Sequence, residues 1–257
     1  MAVAEFHFNA SNALNKMTSA MVIVPDEGKG PFPVLYLLHG LSDNHTAWVR
    51  RTSIERHLSG LPLIVVMPDG GRSFYVDSAT HPRQAYETFI VKDLVGWTDR
   101  TFRTLPARKG RMTGGLSMGG YGALKLALGH PGLFCAGLAF SGALGAHTAF
   151  SRPEREITWG AEFDPIWGKA RRGSSNDLSA LAKKCPKAQR PALRLDCGSD
   201  DFLIGENRGM HAFLDKAAYP HEYEEHPGAH GWDYWDLAIQ RALPFIKKNL
   251  RIRQGGK

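Results

Sequence analysis

Cysteine is scarce, with three in 257 residues. Cys135, Cys185 and Cys197 are widely spaced and odd in number, which excludes a disulfide framework and a cysteine-based zinc site. Cys135 and Cys197 also fall in apolar, strand-like runs, the pattern of a reduced protein. The opening MAVAEFHF lacks a charged segment followed by a long apolar one, and no apolar run reaches membrane-spanning length. The chain therefore reads as cytoplasmic, with no membrane partner. No basic stripe interleaved with aromatics and no finger, RRM or KH signature occurs, so nucleic acid is not an expected partner. The net charge of +7 is spread over Arg50 and Arg51, Arg171 and Arg172, Lys183 and Lys184, and a tail from Lys247 to Lys257. It reads as solubility with mild steering of acidic substrates. Internal repeats, low-complexity tracts and linkers are missing too, which favours one domain over 1–257.

What is present is a core. Hydrophobic residues make up 43% and charged residues 22% of the chain, enough apolar material for one large α/β domain. Glu5 to Phe8 and Thr18 to Val24 read as an antiparallel pair at a sheet edge. Val34 to Leu38 and Leu63 to Met67 are apolar at consecutive positions, as strands buried on both faces of a parallel sheet must be. Further strands are expected at Gly110 to Thr113, Cys135 to Phe140, Ala192 to Cys197 and Glu222 to Glu225. Helical patterns lie at Ala47 to Leu58, Tyr86 to Phe102, Gly120 to Leu128, Gly205 to Ala218 and Tyr234 to Leu250. The alternation predicts an α/β fold with a mostly parallel sheet covered on both sides. Residues 147 to 188, with Trp159, Phe163 and Trp167, break the rhythm and read as an irregular, cap-like insertion over the sheet edge.

The chemistry gathers where strands end. Lys109 to Ala127 reads KGRMTGGLSMGGYGALKLA, with Ser117 between Gly115 and Gly119 and a helical pattern behind it. A serine on a sharp strand-to-helix turn is forced into a strained conformation, and neighbours without a Cβ are what that turn demands. The free N–H groups of the helix's first turn then face any negative charge formed during acyl transfer. A serine hydroxyl needs an imidazole to take its proton, and the imidazole needs a carboxylate to fix its tautomer. Downstream, GSDD offers Asp200 and Asp201, and HPGAH offers His226 and His230. Loop reasoning favours Asp201, because Asp200 is placed to cap its turn. It also favours His230, because His226 directly precedes Pro227. Oxyanion donors are expected at the N–H groups of Met118 and of Leu41, in the HGLS loop after the first buried strand; His39 reads as a turn residue. Nothing in this chemistry calls for a metal or an organic cofactor. Asp201 and His230 lie far from Ser117 in sequence, so the set works only if three loops meet at one sheet edge.

HG after the first buried strand, GLSMGGYGA around Ser117, CGSDDFL and PGAHGWDYWD together resemble the esterase D group of α/β-hydrolases, most closely its tributyrin-esterase branch. That group is related to feruloyl esterases, S-formylglutathione hydrolases and mycolyltransferases. The resemblance runs from about residue 5 to residue 250. It implies an α/β-hydrolase fold, Ser117 as nucleophile, Asp201 as acid, His230 as base and a small-molecule ester as substrate. The segment GRSFYVDS is similar to a family loop beside the pocket, which makes Tyr75 a candidate substrate contact. Leu116 departs from the GHSMGG of the formylglutathione hydrolases and speaks against glutathione thioesters as the main substrate. The expected activity is a serine carboxylesterase acting on short-chain acyl or aryl esters. Thioester hydrolysis, feruloyl or acetyl-xylan esters and a binding-only scaffold stand as alternatives, and a homo-oligomer is compatible with all of them.

Overall fold

The computed structural model describes residues 1–10, 12–149, 161–168 and 172–252. Eight strands form one sheet: β1 (Ala2–Ala10), β2 (Lys16–Val24), β3 (Val34–Leu38), β4 (Ile64–Pro68), β5 (Arg111–Leu116), β6 (Ala136–Phe140), β7 (Ala192–Gly198) and β8 (His221–His226). Their order across the sheet is β1-β2-β4-β3-β5-β6-β7-β8. β1 pairs antiparallel with β2 and β2 antiparallel with β4, and every other pairing between these strands is parallel. This is the α/β-hydrolase arrangement with an antiparallel edge.

The consecutive apolar positions divide between the two faces. Val34, Tyr36 and Leu38 join the core on one side with Ile64 and Val66, while Leu35 and Leu37 join the other with Val65 and Met67. The first face is covered by the helices Met118–Gly129, Leu178–Lys184 and Ile204–Lys216 and by the turns over Phe89–Thr101. Trp48 to Leu58 and Trp232–Arg241 cover the second. All three cysteines are free and buried. No helix of the described residues is long and apolar enough to cross a membrane.

Several helices depart from the sequence expectation. The expected helix over 47–58 splits into Ala47–Arg51 and Ile54–Leu58. Thr52 is extended there, and the Ser53 N–H leaves the helix to donate to Asp236 at 2.7 Å. The last expected helix divides into Trp232–Arg241 and Leu243–Asn249, with a proline in the first turn of the second piece. A π-helical turn, Phe89–Leu94, interrupts the expected Tyr86 to Phe102 helix. Within 147–188, the described residues include the helices Ala161–Trp167 and Leu178–Lys184, with Phe163 and Trp167 buried. Trp159 lies outside the described residues.

β5 runs three residues further than expected, through Gly114, Gly115 and Leu116. A Cβ on Gly115 would lie 2.5 Å from the carbonyl oxygen of Gly119, and one on Gly119 would lie 2.5 Å from that of Leu38. The missing side chains are therefore what allows the helix after β5 to start against the end of β3. Gly119→Ala should cost at least about 1–3 kcal/mol, because backbone must move to admit the methyl group. Gly209→Ala, on an exposed helical face with nothing within 4 Å of the new atom, should instead stabilise by about 0.5–1 kcal/mol. Urea midpoints of the two variants should move in opposite directions.

Candidate active site

Ser117 sits at the end of β5 with φ +52° and ψ −116°, a conformation that costs a side chain with a Cβ on the order of 1–3 kcal/mol. Neighbouring backbone holds it there. The Ser117 N–H donates to Phe140 O at 2.9 Å, and its carbonyl accepts from Tyr121 N–H at 3.1 Å and Ala143 N–H at 3.0 Å. The strain aims Oγ out of the sheet edge toward the loops that follow β7 and β8.

Asp201 and His230 arrive on those two loops. His230 Nδ1 lies 2.8 Å from Asp201 Oδ2, and His230 Nε2 lies 3.0 Å from Ser117 Oγ. An ionised carboxylate only accepts, so the imidazole proton sits on Nδ1 and leaves Nε2 with its lone pair facing the hydroxyl. Burial by itself raises the Asp201 carboxyl. Hydrogen bonds from His230, from the Leu203 N–H at 2.8 Å and from the Ser141 hydroxyl outweigh that and hold it below the ordinary carboxylate value. The arrangement can take a proton from Ser117 and keep the resulting imidazolium paired with a carboxylate.

The competing candidates lie elsewhere. The Asp200 N–H donates across to Gly228 O at 3.0 Å, while its side chain is exposed beside the Ser199 hydroxyl. His226 turns back to Glu224 of its own strand at 3.0 Å. His39 is a turn residue, as its sequence context suggests: Nδ1 donates to Gly40 O at 2.7 Å and Nε2 accepts the Gly70 N–H at 2.9 Å. Leu41 and Met118 both line the pocket, and neither N–H donates to a backbone carbonyl among the described residues.

Tyr75 is not the substrate contact that the sequence suggested. Its ring is fully buried, and its hydroxyl accepts from the His39 N–H at 2.9 Å and donates to the His39 carbonyl at 3.1 Å. It braces the loop carrying Gly40 and Leu41 from behind.

Sequence reasoning missed Ser141, Trp235 and Phe202. Ser141 ends β6 at φ +47°, fully buried, and its Oγ accepts the Trp235 indole N–H at 3.1 Å. An indole only donates, so the Ser141 hydroxyl proton is free to go to Asp201. The signal available was the Ser-Gly pair closing the fourth parallel-type strand. The Trp235 ring meets the His230 ring edge-on at 4.9 Å, and the Phe202 ring lies 4.5 Å from it on another side.

These residues open onto a cleft of about 590 Å³. Its walls are mostly apolar, from Phe74, Leu116, Ala143, Ala146, Leu203 and Trp232. Asp43 and Glu206 are also in its lining, and no lysine or arginine lines it among the described residues.

The family model described as "Putative esterase" matches residues 11–246. The chain belongs to this esterase family. An acetyl esterase of Caldicellulosiruptor saccharolyticus is 31% identical over 96% of this chain and 99% of its own length. A fluorophosphonate-binding serine hydrolase of Staphylococcus aureus superposes with a TM-score of 0.83 at 28% identity, covering 95% of this chain and 98% of that one. An S-formylglutathione hydrolase of the same organism gives 0.81 at 27% identity, covering 95% and 98%. The chain is a serine-type carboxylic ester hydrolase, and the binding-only alternative falls.

Tyr75→Phe deletes the hydroxyl that holds the His39 peptide from both sides. A buried N–H left without its partner should lower stability by about 1–3 kcal/mol, read from thermal unfolding, and kcat should fall with it as the Leu41 loop loosens.

Proposed function

We propose that Ser117 is the nucleophile, His230 its general base and Asp201 the carboxylate that orients His230, in an esterase hydrolysing short-chain acyl and aryl esters through an acyl-enzyme. The observation that carries this reading is the continuous run of contacts from Asp201 through both ring nitrogens of His230 to Ser117, at 2.8 and 3.0 Å. Ser117 Oγ attacks the ester carbonyl while its proton passes to His230 Nε2. The carbonyl oxygen becomes an oxyanion held by the N–H groups of Leu41 and Met118. His230 returns the proton to the departing alcohol oxygen, and the C–O bond of the ester breaks. Water then repeats the sequence on the acyl-enzyme, giving the acid and restoring the Ser117 hydroxyl. Proton and electron pairs balance among these groups and water, so no step asks for a metal or an organic cofactor.

The apolar walls and modest volume of the cleft favour a short acyl chain, as does the likeness to an acetyl esterase. Asp43 on the cleft wall disfavours the carboxylates of a glutathione thioester, and Leu116 stands where the formylglutathione hydrolases carry histidine. We therefore favour neutral carboxylic esters over that thioester. Three buried free thiols fit a reducing compartment, and we place the enzyme in the cytoplasm.

Ser117→Ala should keep the fold and lose at least about ten-thousand-fold in kcat, together with all labelling by a fluorophosphonate. Asp201→Asn should fall by a comparable factor while Asp200→Asn stays near wild type; the reverse ranking would overturn the acid assignment. With the Asp201 carboxyl held low, it stays ionised through the acid limb of the kcat/KM profile. That limb should therefore carry no ionisation from Asp201, and a slope of two toward low pH would count against the scheme.

A further inference from the structure

The walls of the cleft are assigned by where the proton must go. In the scheme above, His230 Nε2 hands its proton to the leaving alcohol oxygen, so the alcohol must extend from Ser117 past His230. Aromatic side chains stand beside that imidazole in the lining of the cleft. Phe202 lies 4.5 Å from the His230 ring, and Trp232, packed edge-on against Trp48 at 5.4 Å and Trp235 at 5.2 Å, also lines the cleft.

Phe202 is 72% exposed, the most exposed large apolar side chain among the described residues. A lone exposed apolar residue usually means nothing. This one is displayed by a stiff turn: Asp201 before it is 2% exposed and bonded to His230, and Leu203 after it is 5% exposed with its N–H on Asp201. A ring displayed in water from a held turn, 4.5 Å from the His230 ring, gains by being covered when a leaving alcohol lies beside that imidazole.

We propose that Phe202 is the platform for the leaving alcohol, and that the enzyme selects esters whose alcohol presents a flat, apolar ring face. This inference rests on the proposed roles of Ser117 and His230. Aryl alcohols and the apolar face of a sugar ring share that chemistry. The platform serves acylation only, because the alcohol has left before water attacks.

The experiment compares wild type with Phe202→Ala and Phe202→Trp on three acetates: ethyl acetate, benzyl acetate and a mono-acetylated methyl glucopyranoside. Comparing each enzyme on the same ester cancels the differing reactivity of the alcohols. Phe202→Ala should lose on the order of tenfold more kcat/KM on the ring-bearing esters than on ethyl acetate. Phe202→Trp should keep most of that preference. A loss confined to benzyl acetate assigns the platform to aryl alcohols, and a loss on both ring esters extends it to sugars. Equal losses on all three acetates would mean that Phe202 acts by propping His230, and no loss on any would mean that it contacts nothing; either overturns the proposal. Ser117→Ala run alongside separates the two readings, since its retained turnover would defeat the nucleophile assignment whatever Phe202 does.

Discussion

One close approach fixes the geometry of the sheet edge: the first turn of the Met118–Gly129 helix lies against the carbonyls that end β3. A Cβ at Gly119 would meet the carbonyl oxygens of Leu38 at 2.5 Å and His39 at 2.7 Å, so only glycine permits the contact. The contact does two things at once. It accompanies the positive φ of Ser117 that puts Oγ within reach of His230, and it brings Met118 to the same cleft that Leu41 lines. The strain is tolerated because three backbone hydrogen bonds to Phe140, Tyr121 and Ala143 hold the Ser117 peptide groups. If they serve as the proposed oxyanion donors, the backbone N–H groups of Met118 and Leu41 need no reorganisation when charge develops.

The neighbouring strand repeats the device for a different purpose. Ser141 ends β6 in the same left-handed region as Ser117 ends β5, and its N–H donates to Asp196 O at 2.8 Å much as the Ser117 N–H donates to Phe140 O. Its hydroxyl, however, points into the protein, between the Trp235 indole and Asp201. Trp235 belongs to the helix that follows His230, and Asp201 to the turn after β7. One buried hydroxyl thus ties the loop of the proposed acid to the helix behind the proposed base. The Asp201 carboxylate is held by three donors from three segments, which is why it stays ionised despite its burial.

The sequence disclosed most where one residue type has one physical cause. Consecutive apolar residues at Val34 to Leu38 can only mean burial on both faces, and glycines flanking a serine before a helix can only mean a crowded turn. Legibility failed where the cause is tertiary. The helix over 47–58 has continuous periodicity, yet its break is set by Asp236, a residue far along the chain that captures the Ser53 N–H. Tyr75 sits in a segment that borders the pocket, and nothing local says that its hydroxyl turns inward to the His39 peptide. Ser141 is an ordinary serine until β6, β7 and the last helices bring Asp201 and Trp235 to it. Sequence reasoning favours Asp201 over Asp200, and the structure supplies what the sequence lacks, that the turn buries Asp201 and leaves Asp200 exposed.

Charge shows why composition is a poor guide to a site. The chain is strongly basic, but many of its cations are spent on nearby carboxylates: Arg194 on Glu222 and Glu224, Arg208 on Glu225, and Lys125 on Glu87. At physiological ionic strength the remaining surface charge is screened over about 8 Å, whereas groups on the wall of the cleft act at contact range. Those wall groups are Asp43 and Glu206. A negative wall beside a site that must stabilise an oxyanion looks self-defeating until range and solvent are compared. Asp43 is half-exposed and its field is weakened by water, while two backbone N–H groups aimed at the oxyanion would act at hydrogen-bond distance in the apolar floor of the cleft. In the proposed scheme the donors would therefore dominate at the reacting carbonyl, with Asp43 acting further out.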